Sequence, residues 1–168
     1  MKSEELRSIQ TPIKEQYKVN PEKAFITLKA HGNLGENISC KVDTGRALRE
    51  AGLHSATGGN GMLACSGDML LEALVACAGV TLSAVATSMG LEINNGIVTA
   101  EGDLDFRGTL GVSKEVPVGF KKIRLNFDFQ SSATEEQLQK LLQLTERYCV
   151  VFQTITNPCI VETSLNNL

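Results

Sequence analysis

The sequence predicts an α+β domain in which an antiparallel-rich sheet packs with a long buried central helix and a second helix. Three observations lead to this fold class. Residues 68–89 form the longest helical segment, and Glu72 is its only charge after Asp68. Residues 122–129 alternate polar and apolar side chains, as a half-buried strand does. The predicted elements follow the order β-β-α-β-β-α-β, which is typical of layered α+β folds.

Length and composition limit the function classes. The chain has 168 residues, of which 42% are hydrophobic and 21% charged, enough for one domain with its own core. Its net charge is −3, and nucleic-acid binding needs clustered Lys and Arg, so no nucleic-acid partner is expected. Residues 1–17 are polar and contain no apolar secretory segment. We therefore expect a cytoplasmic protein whose five cysteines are reduced thiols.

Local signals divide the chain into an N-terminal arm, residues 1–23, and a folded domain, residues 24–168. The arm is interpreted either as mobile or as an irregular first helix. Glycines predict a turn at residues 31–35 and a loop of functional length at residues 44–61. Segments rich in β-branched or alternating residues predict strands at 24–30, 37–43, 97–106, 122–129 and 160–164.

The two helices differ in their apolar pattern. Residues 73–80 of the first are apolar on every side, which indicates either a buried central helix or a membrane span. Its Thr and Ser residues and its many small residues favour the buried helix, so no membrane partner is expected. The second helix, residue 134 to about 150, is predicted to begin after a capping Ser131 or Ser132 and to present an apolar stripe.

Cysteine chemistry is the strongest candidate for a function. A thiol reacts as its thiolate, which needs a nearby cation, a helix N-terminus or a base. Cys77 lies in mid-helix, where burial alone would raise its pKa and make it an inert packing residue. Cys149 lies near the end of the second helix, whose dipole disfavours a thiolate, so it suits a resolving thiol better than an attacking one. The cysteines at positions 40, 65 and 159 are interpreted as structural.

Asp68 begins the first helix, where an acid complements the helix dipole. A second interpretation is that Asp68 holds an Arg beside the reactive thiol. Nine positions separate Asp68 from Cys77, which places them on opposite faces of a straight helix. Asp68 could therefore act on the thiol only by orienting another group.

Metal and phosphate sites are disfavoured by spacing. The cysteines form no C-x-x-C pair, and His31 and His54 lie apart. A metal site from His54 with Cys65 is the least favoured interpretation, so no metal or bound cofactor is expected. The glycine-rich segments at 58–61 and 108–111 are not followed by GK[ST], which makes them turns and not phosphate loops.

The segment CSGDMLLEALVACAGVTL, residues 65–82, resembles the central helix of the OsmC and organic hydroperoxide resistance (Ohr) family. Members of this family carry an acid, a Leu/Ala-rich helix with a Cys in its middle, and a second Cys on a later helix. ERYCVV, residues 146–151, matches that second site, and the glycine turn at 58–59 fits as well. The resemblance covers about residues 24–165 and is closest to an OsmC-like subgroup.

The resemblance implies a thiol peroxidase that reduces organic hydroperoxides. Cys77 would be the peroxidatic residue, oxidised to a sulfenic acid, and Cys149 would resolve it as a disulfide. Asp68 matches the family's acid at the start of the helix. The resemblance further implies an intertwined homodimer with sites where the protomers meet, and an external dithiol reductant, for example of the lipoyl type.

The activating Arg is the least determined part of the predicted site. In the hydroperoxide-resistance branch it lies in the first hairpin turn, but residues 31–35 contain no Arg. Arg46 in the next loop is the preferred substitute, with Arg49 and Arg147 as alternatives.

A non-catalytic protein is the alternative: a dimeric scaffold or small-ligand binder in which both cysteines only pack. The two hypotheses differ in whether Cys77 and Cys149 meet, because a disulfide requires Cα atoms within about 7 Å. They also differ in the pKa of Cys77, which stays at or above about 8.5 if nothing activates the thiol.

Overall fold

The computed structural model describes residues 2–20, 31–35, 39–43 and 48–167. It confirms the predicted fold class: an antiparallel-rich sheet arrangement with a long central helix and a second helix. The elements in chain order are α1 (Ser3–Val19), β1 (His31–Gly35), β2 (Ser39–Asp43), β3 (Leu48–Gly52), β4 (Ala64–Cys65), α2 (Ser66–Met89), β5 (Asn94–Asp103), α3 (Phe106–Thr109), β6 (Lys122–Gln130), α4 (Glu135–Tyr148) and α5 (Val150–Thr156).

The strands form two sheets. One has the order β1-β2-β3-β4, in which only the short β3–β4 pair is parallel. The other is the antiparallel pair β5–β6, with Ala100 opposite Leu125 and an irregularity between Asn94 and Ile97. The predicted strand at 122–129 is confirmed as β6, in which more buried and more exposed side chains alternate along most of its length. Helix α2 packs against β5 of this sheet.

Helix α2 is the central element. It ends at Gly90, whose left-handed backbone (φ 70°) is a conformation that glycine adopts at no steric cost. One face is buried, with the spacing expected of a helical stripe, and its residues are Leu74, Ala78, Leu82, Val85 and Ala86. The outer face of the helix is open in the single chain, where Val80 is 72% exposed.

Helix α2 is also long and apolar enough to cross a membrane by length and composition alone. Its buried stripe instead packs on α4 and β5, as in the central helix of a folded domain. The hydrophobic cluster at this contact includes Leu82 and Leu141, which is 1% exposed. Phe127 and Phe129 from β6 pack against this cluster and join helices and sheet in one core.

Helix α4 begins one residue later than predicted and uses a different cap. Thr134 accepts a hydrogen bond from the Gln137 amide (3.3 Å), and the Gln137 side chain accepts one from the Thr134 amide (2.9 Å). This reciprocal capping box satisfies two amide donors at the helix start. The prediction of a Ser131 or Ser132 cap is therefore wrong, because the helix begins at Glu135 and the residue that caps it is Thr134.

Three further sequence predictions differ from the structure. The predicted turn at 31–35 is strand β1, because pairing with β2 (Leu34 opposite Cys40) overrides the local glycine signal. The predicted loop at 44–61 contains β3, which adds to the same sheet. The predicted strand at 160–164 has no regular structure, and Ile160 is 92% exposed, since no described strand pairs with it.

Residues 3–19 of the N-terminal arm form the helix α1, which contacts α2. This is the helical interpretation of the arm. The predicted strand at 24–30 and the side chain of Arg46 lie outside the described residues.

Candidate functional site

The structure brings Cys77 and Cys149 together. Helix α2 contacts both α4 and α5, and Cys149 lies at the junction of these two helices. The two thiols interact with each other, and neither forms a disulfide. Cys149 is 1% exposed, whereas Cys77 is only partly buried. The more accessible thiol is therefore the one on the central helix.

A one-residue break in the helix creates this geometry. Cys149 ends α4 in an extended conformation (φ −76°, ψ 109°), and α5 begins at Val150. The first amides of a helix have no carbonyl partner within it. The first helical bond of α5 is donated by the Gln153 amide to the Cys149 carbonyl, at 2.9 Å. The amides before Gln153 are thus available to the sulfurs of the thiol pair.

These amides favour ionisation of Cys77. Burial raises the pKa of Cys77. The Val151 amide, the Cys149 thiol and the Val150 amide lower this pKa, and their combined effect is larger than that of burial. The resulting pKa of Cys77 lies below the ordinary value of a cysteine. Each of these groups donates to a thiolate, and hydrogen bonds to the charged form lower a pKa.

Cys149 has the opposite shift. Burial raises the pKa of Cys149, and the adjacent Cys77 sulfur raises it further. Amides of Phe152 and Val151 oppose this without reversing it. Because neighbouring sulfurs cannot both ionise easily, the pair carries its first negative charge on Cys77.

No described cation accounts for the lowered pKa of Cys77. Among the three arginine candidates, Arg46 and the side chain of Arg49 lie outside the described residues. Arg147 is exposed and lies over the Tyr148 ring, 5.5 Å from its centroid. The groups acting on Cys77 within the described part of the chain are backbone amides, a thiol and a hydroxyl.

The sequence does not predict these amide donors. Residues 146–156 contain no Gly or Pro, so nothing in that segment predicts a break at Cys149. The nearest available signal was the run of β-branched residues after Cys149, which lowers helix propensity slightly.

Asp68 does not belong to the surroundings of Cys77. It lies exposed in the first turn of α2, on the opposite face as the nine-residue spacing predicted. It lines a separate cavity of about 360 Å³ with His54, Cys65 and Phe120. Across the described ranges, no group of three His, Cys, Asp or Glu residues could hold a metal ion.

The remaining cysteines have separate environments. Cys65 precedes the first residue of α2, and its thiol forms no cap hydrogen bond. Cys159 is exposed in the C-terminal segment after α5. Its interpretation as a structural residue of a strand or loop stays a prediction.

A second cavity has lining residues one helical turn from each cysteine of the pair, although neither cysteine lines it. Its volume is about 230 Å³, and its walls come from α2, β6, α4 and α5. Leu74 lines it one turn before Cys77 on α2, and Glu146 lines it one turn before Cys149 on α4. Phe152, whose amide approaches the Cys149 sulfur, lines it as well.

Two helices that bring a pair of free cysteines together beside a small antiparallel sheet define a class of α+β proteins with a dithiol site. The family model of OsmC-like proteins matches residues 59–164, a span that includes both cysteines. The chain therefore belongs to the OsmC-like family. A search of curated proteins gave no significant match.

Solved structures share the fold at low sequence identity. An OsmC-like protein from Mycoplasma pneumoniae is 17% identical, with a TM-score of 0.65 over 79% of this chain and 89% of that one. An organic hydroperoxide resistance protein OsmC from Legionella pneumophila, described as a predicted redox protein, is 17% identical, with a TM-score of 0.62 over 79% and 91%. An organic hydroperoxide resistance protein from Elizabethkingia anophelis is 20% identical, with a TM-score of 0.58 over 79% and 91%.

Proposed function

We propose that this protein is a thiol-dependent peroxidase for organic hydroperoxides. The observation that carries the proposal is the Cys77–Cys149 pair, in which donors at the start of α5 lower the pKa of Cys77. A partly exposed thiol with a lowered pKa beside a second, buried thiol is the arrangement that two-step thiol oxidation requires. Membership of the OsmC-like family supports this assignment, because structures of similar fold are described as organic hydroperoxide resistance proteins.

The proposed reaction begins at the Cys77 thiolate, which attacks the terminal oxygen of the hydroperoxide. An S–O bond forms and the O–O bond breaks, so Cys77 becomes a sulfenic acid and the departing alkoxide takes a proton from solvent. Cys149 then attacks the Cys77 sulfur, and the S–O bond breaks. The leaving hydroxide and the Cys149 proton make water, and the product is a disulfide.

An external dithiol completes the cycle by thiol–disulfide exchange and is itself oxidised to a disulfide. A lipoyl-type dithiol is the proposed reductant. Because the cycle passes through free thiols, a reducing compartment such as the cytoplasm suits it.

We also propose that the active form is a homodimer. On the outer face of α2, Val80 is 72% exposed and Leu70 is 41% exposed, and a second copy could cover this apolar surface. Arg46 and Asp68 are proposed supporting residues, with Asp68 orienting Arg46. Since Asp68 faces away from Cys77 in its own chain, this role depends on contacts between protomers.

Stopped-flow reduction of cumene hydroperoxide with excess dithiol tests the function. Wild type should consume the peroxide rapidly, and Cys77→Ser should reduce the rate to that of the dithiol alone. In a separate reaction without dithiol, Cys149→Ser should give a single turnover and accumulate sulfenic acid. Cys159→Ser, which changes an exposed thiol, is the matched control and should behave as wild type. Equal slow rates for wild type and Cys77→Ser would instead support the non-catalytic scaffold or ligand binder.

A further inference from the structure

The cavity near the thiol pair has a mostly apolar lining that contains one charged residue. Most of its lining is hydrocarbon, including Leu74, Leu125, Phe127 and Phe152. Among the described residues that line it, Glu146 is the only ionisable one. A single carboxylate beside an otherwise apolar cavity affects which ligands can enter, because charges interact more strongly there than in water.

The position of Glu146 is fixed by the fold. It lies in the last turn of α4, and its backbone carbonyl accepts a hydrogen bond from the Gln153 side chain at 2.9 Å. This bond ties the end of α4 to α5 across the break at Cys149. Glu146 is partly buried, and no ion pair within the described ranges neutralises it. The neighbouring Arg147 lies over Tyr148 instead.

The cavity also has the right place and size for part of a substrate. Two of its lining residues, Leu74 and Glu146, precede Cys77 and Cys149 by one helical turn, so the cavity lies close to the thiols without being lined by them. Its volume of about 230 Å³ falls below the range of roughly 300–1,000 Å³ that is typical of drug-sized ligands. It therefore suits a compact organic group attached to the reacting peroxide.

We propose that Glu146 makes this site selective for the charge of the hydroperoxide. The cavity accepts the uncharged organic group of the substrate, and the Glu146 carboxylate disfavours substrates that carry a negative charge near the peroxide. Glu146 is thus a specificity residue and takes no part in the bond changes at sulfur. This inference rests on the proposed peroxidase function for its kinetic test.

The test compares two cumene hydroperoxides of the same shape, one with a para-carboxylate and one with a para-carboxamide. Wild type should reduce the carboxamide at least tenfold more efficiently, with the difference mainly in KM. Glu146→Gln should bring the ratio of the two kcat/KM values to within about threefold by improving the carboxylate alone. Glu136→Gln, on the exposed first turn of the same helix, removes the same net charge and should keep the wild-type ratio.

A ratio that is the same in Glu146→Gln and wild type overturns the proposal. If the wild type reduces neither probe nor cumene hydroperoxide, the peroxidase function fails. The charge selectivity of the cavity is then tested by ligand binding without turnover. The two alcohol products can be compared by saturation-transfer NMR with the reduced protein. Preferential binding of the carboxamide alcohol, lost in Glu146→Gln, supports the proposal, and equal binding of both alcohols overturns it.

Discussion

The backbone amide of Val151 lowers the pKa of Cys77 across the contact between α5 and α2. The donor is available because the helix is broken at Cys149, which leaves the first amides of α5 without helical acceptors. Part of the activation of the thiol therefore comes from the backbone, and side-chain substitution at Val150 or Val151 would leave these amide donors in place. Proline is the substitution that removes an amide donor.

Val150→Pro is expected to raise the pKa of Cys77, because the Val150 amide is one of the donors that lower it. Proline suits this first helical position, where the amide has no helical partner. It is also compatible with the preceding Cys149, whose extended backbone (φ −76°, ψ 109°) lies outside the α region that proline disfavours in the residue before it. The rate of Cys77 alkylation against pH measures the effect, and each pKa unit lowers the thiolate fraction at neutral pH by about tenfold.

Val150→Ala is the control for Val150→Pro, since it shortens the same side chain and keeps the amide. Val150 is 68% exposed, so neither change should disturb the core. Identical alkylation profiles for the proline and alanine variants would show that the amide does not stabilise the Cys77 thiolate.

Cys149 is expected to contribute to the ionisation of Cys77 as well as to disulfide formation. Its thiol donates to the Cys77 sulfur, so Cys149→Ala should raise the pKa of Cys77. Cys149→Ser keeps a hydroxyl donor and should leave this pKa closer to that of wild type. Alkylation of Cys77 followed by mass spectrometry across pH separates the two variants. Superimposed curves for alanine and wild type would contradict the donor role.

The elements with long, regular patterns could be predicted from the sequence. Helix α2 was predicted to within two residues at its start, and β6 to within one at its end. Both patterns arise from burial against the rest of the chain, which repeats at every turn of a helix and every second residue of a strand. The pairing of Cys77 with a cysteine on the later helix was expected from the family resemblance.

The features that depend on tertiary contacts could not be predicted in this way. Strand β1 has the glycines of a turn and becomes a strand because β2 pairs with it. No Gly or Pro in the sequence predicts the helix break at Cys149. The position of this break determines which backbone amides lie near the two sulfurs. The charge of Glu146 matters because three other elements form a cavity around it, and a sequence does not show that arrangement.

Leu141→Ala is expected to destabilise the protein by about 2–5 kcal/mol, the usual cost of removing a fully buried leucine side chain. Leu141 is 1% exposed and packs between α2 and the sheet with Leu82 and Phe127. Leu142→Ala is the matched control, because Leu142 is 36% exposed and should cost less. Urea unfolding of the reduced protein measures both, and equal losses would contradict the assignment of Leu141 to the core.

Acid should loosen the segment between β5 and β6 through Asp105. Its carboxylate binds Arg107 at 2.6 Å and Lys121 at 2.9 Å, and these partners hold the pKa of Asp105 well below its usual range. A lowered folded-state pKa contributes stability that is present above the unfolded-state value, about 3.9, and lost as the pH falls from there through the folded-state pKa. The Lys121 amide donates to the Asp103 carbonyl at 2.8 Å. Hydrogen exchange should therefore show that this amide opens more often as the pH falls below about 4.

Asp105→Asn should show more opening of the same amide already at neutral pH and little further change with acid. A wild-type amide whose protection, corrected for intrinsic exchange, is constant over that range would mean that the Asp105 ion pairs do not hold the segment.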